Sequence, residues 1–399
     1  MSKSSPPKPL FGNERDLSSD LIVIPSELQA HPLRQADYQH SLLFLKEYTG
    51  SKDTFTAYRR EIERFLSWCW IIRQSDLSQL DRETIHHYMA FCQSPPKTWI
   101  GTHVCSRFKN KNGERRHNKD WRPFIAKAGS FSLSNNSKQA LLSILSSYFN
   151  FMIEQGHIAF NPVALIRQKS RYTQKQTDTP IIRRLSNEHW DLLLEEVQED
   201  INNKVKEAER AYFIIASFYL MGLRISELSA GKETTKTMGD FQRDHNKQWW
   251  FVTIGKGNKI RHIPVNSDML TVLGDYRESR QLRRLPIAGE ATPLLENFRS
   301  GKAKGLSTRM IRYIVVHYFK KTITTLKRKG ASEDANHLSA ATVHWLRHTS
   351  VSEQVKVRDK HHVQQDVGHE DSKTTDNYID SFDKERHQSM ESFKLKPGN

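Results

Sequence analysis

The sequence has few cysteines, no long apolar run and no apolar N-terminal segment, and each absence excludes a class of protein. Its three cysteines, Cys69, Cys92 and Cys105, are too few for a disulfide framework. Cys92 and Cys105 lack the paired spacing of a structural zinc site, so buried or idle thiols are expected. No stretch is long and apolar enough to span a membrane. The N-terminal residues are polar and rich in proline and serine, unlike a signal peptide, and we expect a cytoplasmic protein.

The composition is that of a basic globular protein. Apolar residues make up 37% of the 399 residues, which is low but sufficient for cores, and the length suits two domains. The 61 Lys and Arg outnumber the 45 Asp and Glu, giving a formal net charge of +16. Such an excess favours polyanionic or acidic partners and carries no information about the fold.

The basic residues are concentrated in three stretches. Residues 97–127 hold nine Lys or Arg against two acids, residues 167–184 hold six against one, and residues 299–330 hold ten and no acid. Together these stretches exceed the net charge of the whole chain, so the remainder is mildly acidic. This pattern is typical of a defined polyanion-binding surface, although solvated loops without a partner would also produce it.

The first part of the chain predicts an all-helical unit. Residues 1–35 predict a flexible N-terminal arm, and residues 36–166 carry apolar side chains at three- and four-residue spacings. The stretch 94–133 breaks this pattern and predicts a basic, partly irregular insertion. The predicted helices are Thr54–Trp70, Asp81–Phe91 and Ser137–Gln155, the last ending at Gly156.

The second part of the chain predicts a separate domain. A polar, basic stretch at 167–180 predicts a linker, and the domain covers 181–399. The predicted fold class is mainly α with a small β-sheet or hairpin, in two domains. The expected elements are a helix capped at Ser186 that ends near Val197, a buried helix at Ala208–Leu220, and hairpin strands at Trp249–Ile254 and Lys259–Val265.

Two motifs follow the buried helix. The first, GLRISEL, begins at Gly222 and sets Glu227 three residues after Arg224, on one helical face. An arginine at the end of an apolar helix is costly unless another group pairs with it. In the second motif, Lys256 lies in the turn of the predicted hairpin, from which it can reach into a groove. Taken alone, the first motif favours a structural ion pair and the second an exposed turn.

Two further motifs lie near the end of the chain. HWLRH sets His344 and Arg347 on one helical face, where a guanidinium and an imidazole suit a phosphate. Neither a carboxylate nor a cysteine lies at ligand spacing, so a metal site is not predicted there. Tyr378 follows His369 by nine residues in a polar stretch. Taken alone, this tyrosine is an ordinary half-buried side chain.

In this order the motifs resemble the tyrosine recombinase, or phage integrase, family, and its Xer-like site-specific recombinases in particular. The family pattern is Arg, Lys, His-x-x-Arg, His or Trp, and Tyr. The matching positions are Arg224, Lys256, His344, Arg347, His369 and Tyr378. The resemblance is strong over residues 181–383 and weaker over 36–166. Trp345 departs from the pattern, because the family often has Asp there.

The resemblance implies an architecture and a reaction. Residues 36–166 correspond to a helical core-binding domain and 181–399 to a catalytic domain with a C-terminal tail, which together form a two-domain clamp on DNA. Tyr378 is expected to attack the scissile phosphate and form a 3′-phosphotyrosyl link. Arg224 and Arg347 are expected to stabilise the charge that develops on the phosphate oxygens.

The resemblance assigns the remaining groups as well. Lys256 corresponds to the general acid that protonates the leaving 5′-oxygen. His369 and His344 are expected to add hydrogen bonds to the phosphate, and His344 to assist the transfer of the Tyr378 proton. Glu227 is expected to orient Arg224. The covalent link conserves the energy of the phosphodiester, so neither ATP nor a metal or other cofactor is expected.

The resemblance also implies partners and a role. They are double-stranded DNA with a specific recombination site, a homo-tetramer assembled on that DNA, and accessory DNA-bending proteins, with no membrane involved. The expected role is the integration or excision of a mobile element. Two alternatives stay open: a type IB topoisomerase or hairpin-forming resolvase with the same chemistry, and a non-catalytic DNA-binding protein on the same scaffold.

Overall fold

The computed structural model divides the chain into two compact units, residues 1–179 and 180–399. The division lies within the stretch that we predicted as a linker, residues 167–180. The described residues are 6–17, 31–111, 114–126, 131–164, 166, 183–231, 235–255, 259–297 and 305–368.

The first unit is built on helices that pack around an aromatic core. Its helices are α1 (Glu14–Leu17), α2 (Pro32–Lys46), α3 (Lys52–Ser67), α4 (Arg82–Gln93) and α5 (Asn135–Glu154), with a π-helical turn at Trp68–Arg73 after α3. The three helices predicted from periodicity are confirmed to within a few residues. Asp81 and Ser134 begin α4 and α5 by accepting backbone N–H groups of the first helical turn. Within the core, Phe65 meets Tyr88 edge-on at 4.9 Å.

Residues 6–17 pack against this core. Phe11 is fully buried and stacks on Tyr38, with ring centroids 5.4 Å apart. The Oε1 atom of the buried Glu63 accepts the backbone N–H groups of Leu10 and Phe11 at 2.8 and 3.2 Å. This differs from the flexible arm that we predicted, because the sequence shows the polar residues of the segment but not the partners of Phe11.

The insertion predicted at residues 94–133 is folded where it is described. Its strands are β1 (Ile100–Gly101), β2 (Phe108–Lys111), β3 (Glu114–His117) and β4 (Phe124–Ile125). β2 and β3 form an antiparallel ribbon, and β1 pairs in parallel with β4. Trp99 and Trp121 are buried, and Arg107 donates from Nε and Nη2 to Glu63. The insertion is therefore anchored to the helical core, and it is partly irregular as predicted, because residues without regular structure join its short strands.

The second unit places a small sheet beside a helical core. Its helices are α6 (Asn187–Asn202), α7 (Ala208–Leu220), α8 (Ile225–Leu228), α9 (Ser267–Ser279), α10 (Thr308–Arg328), α11 (Ser332–Ser339), α12 (Val343–Val357) and α13 (Lys360–Val367). Its strands are β5 (Phe241–Arg243), β6 (Trp249–Ile254) and β7 (Ile260–Pro264). The predicted buried helix and hairpin are confirmed, whereas β5 was not predicted. The apolar α7 contacts α6, α9, α10 and α12, which explains why it is apolar on most of its faces.

Strand alternation sets which hairpin residues face the core. β6 pairs antiparallel with both β5 and β7, and Thr253 lies opposite Arg261. Phe251, Thr253, Arg261 and Ile263 are the buried positions of the two hairpin strands. An arginine therefore occupies a core-facing position of a strand.

The overall class agrees with the prediction: the chain is mainly α with small sheets, in two units. Cys69 and Cys92 are buried and Cys105 is half-buried, as expected of idle thiols. Among the described residues, no helix is long and apolar enough to cross a membrane.

Candidate active site

Arg224 lies where the chain leaves α7. Gly222 has a φ of +58°, in the left-handed region that glycine enters without steric cost, and it turns the chain out of the helix. Arg224 then precedes α8 with an extended backbone, at φ −80° and ψ 148°. Its side chain is 27% exposed, so the guanidinium can be reached from solvent.

Glu227 holds Arg224 at two points. The carboxylate is 1% exposed, and its Oε2 accepts the backbone N–H of Arg224 at 2.7 Å. Its Oε1 accepts Nη1 of Arg224 at 3.1 Å. The pairing expected from the three-residue spacing is therefore present, and it restricts the guanidinium to one direction.

Arg347 is buried on α12 and donates to two separate parts of the chain. It is 2% exposed. Its Nη1 donates to the carbonyl of Gly222, and its Nη2 donates to the carbonyl of Val367 at 2.6 Å. Arg347 thus joins the turn that carries Arg224 to the end of α13.

Arg224 also donates a hydrogen bond to the end of α13. Gly368 has a φ of +64° and ends the helix in the left-handed conformation that glycine favours. Arg224 Nη2 donates to the Gly368 carbonyl at 2.8 Å. Arg224 and Arg347 therefore meet at the carbonyls of two consecutive residues, directly before His369.

Arg261 is a third arginine in this cluster, and our sequence analysis did not single it out. Its Nη1 donates to Glu227 Oε1 at 2.7 Å and to the Val367 carbonyl at 2.9 Å. Burial lowers the pKa of Arg261, while the Glu227 carboxylate opposes that shift. A charged residue at an inward position of β7 was the signal that could have found it.

His344 lies one turn before Arg347 on α12, at the surface. Partial desolvation, followed by the positive charges of Arg347, Arg224 and Arg183, lowers the pKa of His344 below its ordinary 6.5. Its ring meets that of His348 edge-on, with centroids 4.4 Å apart. At neutral pH His344 is therefore uncharged and able to accept a proton.

The other three predicted site residues, Lys256, His369 and Tyr378, lie outside the described residues. The hairpin is described up to Gly255 and again from Lys259, where the Gly255 N–H donates to the Lys259 carbonyl at 2.8 Å. The described cluster thus includes Arg224, Glu227 and Arg347, with His344 at its edge.

The described cluster has the charge balance of an anion site. Arg224 and Arg261 share the Glu227 carboxylate, and Arg347 donates to backbone carbonyls, so positive charge exceeds negative charge. Guanidinium groups give planar, charge-assisted hydrogen bonds that match phosphate oxygens. An accessible Arg224 beside a buried Arg347 is suited to an anion that approaches from solvent.

Comparison with known proteins points to one family. The model of the phage integrase family matches residues 183–385, which is about half of the chain. Tyrosine recombinase XerD of Rickettsia conorii is 26% identical over 263 residues, which cover 65% of this chain and 77% of that protein. Tyrosine recombinase XerC of Bacillus licheniformis is 26% identical over 260 residues, covering 65% and 75%.

Solved structures share the fold. XerH site-specific recombinase bound to palindromic difH substrate superposes with a TM-score of 0.57 at 16% identity, covering 98% of both chains. The Tn1549 transposon integrase in complex with circular intermediate DNA gives a TM-score of 0.53 at 17% identity, covering 85% of this chain and 94% of that one. The family match, the relatives and the shared fold agree: this chain belongs to the phage integrase family and is a tyrosine recombinase.

Proposed function

We propose that this chain is a site-specific DNA recombinase that cleaves and rejoins strands through a 3′-phosphotyrosyl intermediate on Tyr378, and that it integrates or excises a mobile element. Membership of the tyrosine recombinase family supports the reaction class. The shared fold with the Tn1549 transposon integrase supports a mobile element as the context.

The observation that carries the proposal is the convergence of Arg224 and Arg347 on the end of α13, directly before His369. A phosphodiester under attack accumulates charge on its non-bridging oxygens. Donors that are already fixed in place stabilise that charge without reorganising, and this is usually the largest catalytic contribution. Glu227 supplies the fixation by holding Arg224 at its backbone and at its side chain.

The proposed steps balance in atoms and protons. The Tyr378 oxygen attacks the scissile phosphorus while the bond from phosphorus to the 5′-oxygen breaks, and Lys256 gives that oxygen a proton. The Tyr378 proton passes towards neutral His344, and His369 adds a hydrogen bond to the phosphate. In the second step a 5′-hydroxyl of another strand attacks the phosphotyrosine and gives its proton to Lys256, while the released Tyr378 takes its proton back from His344, so no external energy source is needed.

The proposed partner is double-stranded DNA that carries a recombination site. The recombinases that share this fold include XerH bound to its difH substrate and the Tn1549 integrase bound to circular intermediate DNA. We propose residues 36–166 as the core-binding domain, with the insertion 94–133 contacting phosphates and the linker 167–180 crossing the duplex. A homo-tetramer on DNA and accessory DNA-bending proteins belong to the same proposal.

The decisive experiment compares plasmids with two candidate sites, cloned from repeats that flank the gene, with a plasmid that has none. We expect deletion or inversion between the two sites and no relaxation of the site-free plasmid. Tyr378→Phe should bind the sites and recombine nothing. Relaxation of the site-free plasmid would instead indicate a topoisomerase, and binding without any strand breakage would indicate a non-catalytic scaffold.

A further inference from the structure

Arg261 is buried in β7 but is only partly hydrogen-bonded. The residue is 9% exposed, and its Nη1 atom donates both hydrogen bonds, one to Glu227 and one to the Val367 carbonyl. Among the described residues, its Nε and Nη2 atoms are buried and have no hydrogen-bond partner. Buried donors without partners are expensive, and a native fold that keeps them calls for an explanation.

Arg277, in the same unit, is a buried arginine whose hydrogen bonds are complete. It is 2% exposed, and its Nη1 and Nη2 atoms donate to the two carboxylate oxygens of Glu290 at 2.9 and 3.0 Å. Its Nε donates to the Arg283 carbonyl at 2.7 Å. All three nitrogens of Arg277 have partners, so this unit can bury an arginine with its hydrogen bonds complete, and Arg261 differs from it at two nitrogens.

The side chain of Arg261 lies against the residues that precede two predicted catalytic positions. A Cβ atom added to Gly255 would lie 3.2 Å from Cδ of Arg261, and Gly255 directly precedes Lys256. A Cβ atom added to Gly368 would lie 2.8 Å from the same Cδ, and Gly368 directly precedes His369. Both glycines leave room for the arginine to pass between the two segments.

We propose that Arg261 is a positioning residue, which sets the segments leading to Lys256 and His369 against the Arg224–Glu227 pair. This inference rests on the proposed function, in which Lys256 protonates the leaving 5′-oxygen. Arg261 reaches Glu227 and α13 through one nitrogen and contacts the hairpin through its aliphatic stem. A misplacement of about 1 Å can cost a catalytic step about 100-fold, so this link controls proton delivery.

The test uses two nicked duplexes that differ in one atom, the 5′-bridging oxygen or sulfur at the scissile phosphate. The pKa of a thiol, about 8.5, is far below that of an alcohol, so the sulfur can leave without a proton from Lys256. We expect the Arg261→Met protein to form its covalent adduct about 100-fold more slowly than the unchanged protein on the oxygen duplex. On the sulfur duplex, which needs no proton from Lys256 but still reports a displaced His369, the two proteins should differ only a few-fold.

Two further variants act as controls. Arg261→Lys keeps the positive charge but cannot reach Glu227 and Val367 together, so it should repeat the selective loss on the oxygen duplex. Arg277→Met also removes a buried arginine and should not discriminate between oxygen and sulfur. Equal slowing of Arg261→Met on both duplexes, or no slowing on either, would overturn the inference.

A second measurement needs no DNA. Amide hydrogen exchange of the full chain should be faster around residues 255–262 and 363–368 in Arg261→Met than in Arg277→Met. Unchanged exchange in both segments would overturn the positioning role. Failure of the proposed function would appear separately, as an unchanged protein that forms no adduct on either duplex, and the exchange result would still decide what Arg261 holds.

Discussion

Arg224 and Arg347 donate to the carbonyl oxygens of consecutive residues, Gly368 at 2.8 Å and Val367 at 2.6 Å. Arg224 lies in the turn between α7 and α8 and Arg347 on α12, and each also bonds within or beside that turn. Their separation is therefore fixed by backbone atoms rather than by flexible side chains. Two cations held in this way need no reorganisation when an anion arrives.

Replacing Arg224 with lysine should lower the rate of strand cleavage while leaving the fold intact. Lysine keeps the charge but loses the two-nitrogen geometry, and the loss of one fixed donor typically costs ~10²–10³ in rate. Adduct formation per folded molecule is the measurement. Arg210→Lys, in the same unit, is the matched control and should cleave at the rate of the unchanged protein.

Replacing Glu227 with glutamine should destabilise the second unit and slow cleavage. The carboxylate is buried between Arg224 and Arg261, and removing one partner of a buried ion pair costs about 3 kcal/mol. Denaturant unfolding monitored by circular dichroism measures the loss.

Glu290→Gln separates the two effects of the Glu227 change. Glu290 pairs with the buried Arg277, so this variant should lose stability as well. Its folded fraction should still cleave normally, whereas that of Glu227→Gln should not. Equal cleavage by both variants would contradict the orienting role of Glu227.

The pH dependence of cleavage should report His344. Because its pKa is lowered, the ring stays neutral above its ordinary 6.5 and becomes protonated only at a lower pH. We expect a cleavage rate that is constant near neutral pH. The rate should fall in more acidic solution, because a protonated His344 can no longer accept a proton. His344→Gln should be slower and should lose this acid limb, whereas His348→Gln should keep it. An unaltered acid limb in His344→Gln would assign it to another group.

Replacing Phe11 with alanine should destabilise the first unit. Phe11 is fully buried, and such truncations of a core phenylalanine cost about 3–5 kcal/mol. In a thermal scan of the full chain, the midpoint temperature of the transition that unfolds the first unit should be lower. Leu33→Ala is the control, because Leu33 is 57% exposed and should change the transition little.

The parts of the site that the sequence predicted are those with local signals. His344 and Arg347 are three residues apart on α12 and therefore share a face, and the same spacing predicted the Arg224–Glu227 pair, which forms as a cap at the start of α8. The hairpin is signalled by two β-type runs around a glycine-rich turn. None of these signals depends on a distant part of the chain.

Arg261 and Phe11 were missed because their partners are distant in sequence. Glu227 and Val367 lie 34 and 106 residues from Arg261. Glu63, which binds the backbone of Phe11, lies 52 residues away from it. One core-facing charge in a strand, or one aromatic in a polar segment, is a weak signal by itself, and only the partners in the folded chain show what the residue does.

A map of the covalent adduct tests most directly whether Tyr378 becomes joined to DNA. The adduct formed on a nicked duplex is digested with protease and nuclease, and the modified peptide is identified by mass spectrometry. We expect a nucleotide attached through its 3′-phosphate to Tyr378, a free 5′-hydroxyl on the released strand, and no adduct with Tyr378→Phe. A nucleotide on any other residue, or an adduct that persists in Tyr378→Phe, would contradict the account.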